Sequence, residues 1–153
     1  MNNEIDLELY TIGITRLNNG FHNIGLIIQN NAEELQKGNL EAIKILTQEI
    51  ENRVPSFEAS ANDFEKIYLD TVNGLNQGEV NYNEYEVFFK YIIQIFPQYQ
   101  ESLKKSIDNL KNIGIENKNL KNAINKLDYE IMKIITVFDN LLKIANSYCS
   151  KKE

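Results

Sequence analysis

Apolar residues recur at steps of three and four along nearly all of the 153 residues, and no segment alternates with period two for a strand's length. This pattern predicts an all-α fold. The cleanest run is Leu120, Ile124, Leu127, Ile131, Ile134, Phe138, Leu141, Ala145 and Tyr148, an unbroken heptad seam like that of a coiled coil. Ile135 and Leu142 widen it to the stripe of a bundle helix. The run predicts a last helix that starts near Asn117 or Asn119 and frays over residues 150–153.

A second long stripe comprises Leu40, Ile43, Leu46, Ile50, Val54, Phe57, Ala61, Phe64, Tyr68 and Val72. Gly38 and Asn39 precede it as a left-handed helix end and the next N-cap. Pro55 lies inside the stripe and predicts a kink. Gly74 followed by Leu75 predicts a left-handed C-terminal turn, with 76–80 as the loop. A first helix is expected over residues 3–37, carried by Ile5, Leu9, Ile12, Ile24, Ile28 and Leu35. Its middle holds Gly13, Arg16, Asn18, Asn19, Gly20 and Gly25, all polar or poor helix formers. A continuous helix is expected there, with a break at 17–21 as the alternative. Gly13 and Gly20 are seven apart, hence on one face, and would admit a bulky neighbour from the aromatic stretch 82–99.

That stretch is the third helix. Seven of the fifteen Phe and Tyr residues fall within it: Tyr82, Tyr85, Phe88, Phe89, Tyr91, Phe96 and Tyr99. Asn81 with Glu84 resembles a capping box, and Val80 with Tyr85 a hydrophobic staple. The helix would pass through a kink at Pro97 and end at Ile113, before a third left-handed glycine, Gly114. Four long helices with short connections predict an elongated up-down-up-down four-helix bundle with kinked helices, a single domain over residues 1–153. The alternative is a compact domain of five or six helices, broken near Gly20 and Pro55.

Between Tyr85 and Phe96 the third helix is apolar nearly all round. Tyr85, Phe88, Phe89, Ile92, Ile95, Phe96 and Tyr99 share a broad core-facing surface, whereas Val87, Tyr91 and Ile93 turn away from its centre. Tyrosine favours interfaces, where its ring is covered and its hydroxyl stays partnered. Val87, Tyr91 and Ile93, flanked by Tyr82 and Tyr99, are therefore the expected partner interface. A second copy, as in a homodimer, or another protein would cover it.

Composition narrows the classes. The net charge is −6, with residues 1–99 contributing −9 and residues 100–153 contributing +3. An acidic chain is ill suited to nucleic acid, whose binding rests on neutralising phosphates. Lys104, Lys105, Lys111, Lys118 and Lys121 are interleaved with Asp108 and Glu116, the pattern of a solvated face. No apolar run approaches the ~20 residues that span a bilayer, so stable membrane insertion is not expected. The start of the chain lacks the basic and apolar regions of a signal peptide. With one cysteine, Cys149, the expected location is the cytoplasm, export without a cleaved signal being the alternative.

The chemistry-bearing residues are few. There is no Glu-x-x-His pair of the kind that holds metal in helical bundles, no glycine-rich phosphate loop and no Cys/His cluster. No metal, cofactor or catalytic residue is expected. The segment Arg16-Leu-Asn-Asn-Gly-Phe-His22 resembles the Arg-x5-His motif of helical HEPN ribonucleases, in which the pair would act at the RNA phosphate and 2′-hydroxyl. That family carries the motif in a late helix with a polar residue after the arginine; here it lies in the first helix and Leu17 follows Arg16. The leading expectation is a non-catalytic interaction module: an adaptor, an immunity or antitoxin-like binder, or a small subunit of a complex. A membrane-active or secreted helical protein is the second reading and a HEPN-like ribonuclease the third.

Overall fold

The computed structural model describes residues 5–77 and 82–151. They form five helices: α1 (Leu7–Asn30), α2 (Ala32–Gln36), α3 (Leu40–Gln77), α4 (Tyr82–Lys111) and α5 (Lys118–Lys151). Among the described residues there is no strand. Buried apolar side chains from all five helices make one continuous core.

The helix ends follow local chemistry. Asp6 caps α1, its Oδ1 accepting from the Leu9 N–H at 2.9 Å. The Asn39 Oδ1 accepts from the N–H groups of Glu41 and Ala42, as its N-cap reading requires, and of the two starts open to the last helix Asn117 is the cap, its Oδ1 accepting from the Leu120 N–H. Gly38 and Gly114 carry positive φ, 75° and 78°. Gly74 does not: α3 runs on to Gln77 and Gly74 is a buried helical position. It continues the stripe Ile67, Thr71, Gly74, so its missing Cβ spares core volume and makes no turn. Of the expected capping box and staple, Val80 and Asn81 lie outside the described residues, as does the side chain of Glu84.

The first helix is continuous through Asn19 and Gly20 and stops at Asn31 instead of running to residue 37. There the Asn31 side-chain amide donates to the Ile27 carbonyl at 2.8 Å, sharing the acceptor of the last helical N–H bond at 3.1 Å, and such a side-chain bond to the backbone competes with helix propagation. The corner leads into α2, which delivers Leu35 to the core. This short element is the fifth helix that the apolar pattern merges with the first.

The tight packing of α1 on α3 rests on glycine. Phe64 covers Gly13 and Phe57 covers Gly20. The Ser60 hydroxyl, fully buried, donates to the Gly13 carbonyl at 2.9 Å. The aromatics in the glycine groove thus come from α3 and not from α4. Pro55 and Pro97 lie inside α3 and α4 on their solvent sides, where water can meet the freed carbonyl.

One layer shows how the long helices are arranged. Tyr10 of α1 lies 6.0 Å from Phe64 of α3, Phe64 lies 4.9 Å from Phe138 of α5, Phe138 stacks at 4.2 Å on Phe96 of α4, and Phe96 stacks at 6.0 Å on Tyr10. Each long helix contributes one ring. Around this layer the order is α1, α3, α5, α4, so α3 and α4 are consecutive in sequence but diagonal in space. Gln100 ties α4 to α5, donating from Nε2 to the Ile135 carbonyl and to Asp139 Oδ1. Lys111 and Asp128 pair at 2.8 Å between the same two helices. The α5 seam is buried as its spacing predicts, from Leu120 to Ala145, with Tyr148 half-buried.

Candidate interaction surface

The seam between α1 and α4 differs from the others in being made of polar-tipped aromatics. Tyr10 projects from α1 between four rings. It lies over Phe96, edge-on to Phe88 and Tyr91, and tilted to Phe64. Its hydroxyl meets that of Tyr91 at 3.1 Å. Eight residues further along both helices, the Tyr99 hydroxyl donates to Asn18 Oδ1 at 3.1 Å. Residues 10 and 91, and 18 and 99, pair with one offset, so α1 and α4 run in the same direction. Burial, and next the hydrogen bond to Tyr91, push the Tyr10 phenol far above its ordinary range; burial, and next the nearness of Tyr91, do the same for Tyr99. Both therefore remain neutral and serve as rings with a hydrogen-bonding tip.

The five expected interface residues separate on this scaffold. Val87 is 70 % exposed and Tyr91 41 % exposed, so both turn outward from α4. Ile93 and Tyr99 are half-buried and pack against the core. Tyr82 opens α4, and its side chain lies outside the described residues. Tyr85, Phe88, Phe89, Ile92 and Phe96 are buried, as the core-facing assignment of that helix requires, with Ile95 half-buried. Glu86 and Lys90 pair at 3.2 Å beside Val87 and Tyr91. The exposed edge is thus short: two apolar side chains flanked by one charge pair. On α1, Leu7 is 51 % exposed one turn before Tyr10.

A stripe through Ile5, Leu9 and Ile12 leaves Tyr10 off the seam, but Ile12 is exposed. The signal that finds it is the series Tyr10, Gly13, Leu17, Gly20, Ile24, with steps of three and four. It becomes visible only when glycine is counted as a position that can be buried.

Arg16 and His22 are not brought to one point. The Arg16 guanidinium is bound to the Asp63 carboxylate of α3, whereas His22 is exposed. Six residues apart, they leave the helix about 120° from each other. Among the described residues, no group of three or more His, Cys, Asp or Glu side chains is gathered to hold a metal ion. Among them too, no helix is long and apolar enough to cross a membrane. No protein-family model, curated protein or solved structure matches the chain.

Proposed function

We propose that this protein is a non-catalytic interaction module in which α1, α3, α4 and α5 act as one four-helix bundle, and that the edge of α4 at Val87 and Tyr91 is where it docks. The observation that carries this reading is the exposure of Val87, 70 %, on the helix that otherwise holds the densest aromatic core of the molecule. A large apolar side chain left in water beside an ordered tyrosine gains by being covered.

A second copy of the chain is the occupant that suits the edge best. A two-fold interface sets a patch against itself, so its charges must complement themselves. Glu86 and Lys90 sit one turn apart on the same side of the line joining Val87 to Tyr91. Across an antiparallel α4–α4 pair, Glu86 of one copy faces Lys90 of the other while the valines and tyrosines meet at the centre.

Light scattering after size-exclusion chromatography tests this. The wild type is expected to carry the mass of a dimer at about 100 μM, a concentration suited to a modest interface. Val87→Glu should give a monomer with unchanged helical circular dichroism, because the new charge stands at a site that is wet in the free chain. Tyr91→Glu should do the same with a small loss of stability, since it also removes the bond to Tyr10. A monomeric wild type, or a Val87→Glu protein that remains dimeric, overturns the proposal.

A further inference from the structure

On the side of the molecule opposite the α1–α4 seam, α3 and α5 run in the same direction with a groove of about 400 Å³ between them. Its floor and walls are mainly apolar: Ala61 and Tyr68 from α3, Tyr129, Met132 and Val137 from α5. Tyr129 is 64 % exposed and Met132 48 % exposed, so two large side chains stand in water at its rim. Methionine at such a place adapts its shape to what covers it.

The α3 wall of the groove is acidic, and the α5 side carries Lys133 with Lys143 one turn beyond Asn140. Lys133 is the cation in the groove, and its ammonium is engaged twice, with the Glu130 carboxylate at 2.9 Å and over the Tyr129 ring at 4.9 Å. Glu130 is itself buried. Glu65 lines the α3 wall, and Glu58 is on the same face seven residues earlier, close enough to Lys133 for their charges to interact. Both glutamates are exposed, and among the described residues neither forms an ion pair of its own. One heptad further down, Glu51 and Lys126 have opposite signs and offset each other. An apolar trough with two exposed carboxylates along one wall complements a ligand that is apolar on one stripe and cationic beside it.

We propose that the groove between α3 and α5 is a docking site for a basic amphipathic helix of a protein partner, whose apolar stripe covers Tyr129 and Met132 and whose lysine or arginine side chains meet Glu58 and Glu65. The fit is to a helix because the groove runs along two parallel-directed helices, and there is no sheet edge among the described residues for an extended segment to join. Its length sets the size of the ligand. Residues 129–140 span about 18 Å, the reach of a helical segment of roughly twelve residues. The site is independent of the α4 edge and stands whether or not the chain dimerises there.

A fluorescein-labelled peptide of about fourteen residues tests it, with leucine at i, i+3, i+4 and i+7, lysine on one flank and alanine elsewhere. Fluorescence anisotropy at 0.15 M salt should show saturable binding to the full chain. Glu58→Lys/Glu65→Lys and, separately, Met132→Asp should each weaken it about tenfold or more. Glu33→Lys/Glu34→Lys on α2 changes the net charge by the same amount at a distant site, and should leave binding within about twofold. A peptide of the same composition with its leucines scattered round the helix should not bind. Equal binding of the scattered peptide, equal loss with the α2 variant, or no binding to the wild type each overturns the proposal. So does self-association of the wild type that Met132→Asp abolishes, which would make a second copy the occupant of the groove.

Discussion

Gly20 shows how much one missing methyl decides. A Cβ built there would lie 2.3 Å from Phe57 Cε1 and 2.8 Å from its Cζ. Phe57 is fully buried and edge-on to Phe21, so its ring has little room to retreat. Gly25, five residues along the same helix, has nothing within 4 Å of the same point. Two substitutions of one chemistry should therefore have opposite signs. Gly20→Ala is expected to destabilise by ~1–3 kcal/mol through overpacking. Gly25→Ala should stabilise by ~0.5–1 kcal/mol, because it only removes the entropy that glycine retains in the unfolded chain. Urea unfolding of the two variants beside the wild type checks this. If Gly20→Ala is neutral, α1 does not approach α3 as closely as the structure places it. Restoring part of the loss with Phe57→Leu would locate the strain at that ring.

Among the elements, α1 and α4 are joined by side-chain tips, whereas α1 and α3 are joined by backbone drawn close at glycine. That difference has a pH signature. An unfolded tyrosine ionises near about 10. In the folded protein Tyr10 and Tyr99 hold their protons well above that, with burial as the first cause. Above pH of about 10 the folded state thus binds more protons than the unfolded one, and stability must fall as pH rises; below it their contribution is complete. Lys66 and Lys133, raised mainly by bonds to Asp70 and Glu130, act in the same direction. The Tyr10→Phe/Tyr99→Phe protein keeps those lysines and loses the two phenols. Its urea midpoint should therefore drop less than the wild-type midpoint between pH of about 8.5 and 10.5. Equal drops in the two proteins would show that these hydroxyls are solvated and that the seam is looser than described.

For the whole molecule, helix length sets the shape. α3 has 38 residues, which at 1.5 Å each is about 57 Å. Small-angle scattering extrapolated to zero concentration should give a radius of gyration of about 18 Å, against about 15 Å for a globular chain of this length. The smaller value would mean that α3 breaks at Pro55 and folds back. Along such a rod the exposed edge of α4 and the α3–α5 groove occupy opposite sides, so covering one leaves the other open.

Periodicity alone determined that the chain is helical and where its long stripes lie, because a one-sided apolar stripe can be buried only if the backbone keeps the period that lines it up. The α5 seam, the cap at Asn39 and the left-handed glycines 38 and 114 were all legible in this way, each resting on residues within a few positions of one another, while the start of α5 stayed open between Asn117 and Asn119. The same local logic marked Val87 and Tyr91 as outward-facing, since direction around a helix follows from spacing. What spacing does not contain is the identity of the neighbour. Gly13 and Gly20 promise a close approach by some bulky group, and only packing shows it to be Phe64 and Phe57. Gly74 has the same residue type as Gly114 but is a helical core position, because it is burial against other helices that selects between a turn and a space. The end of α1 at Asn31, the order α1, α3, α5, α4 around the aromatic layer, and the meeting of Tyr10 with Tyr91 each join residues remote in sequence, or depend on where such residues leave room. Such pairings are decided by which set of stripes closes one shared core, and that choice exists only once all the helices are together.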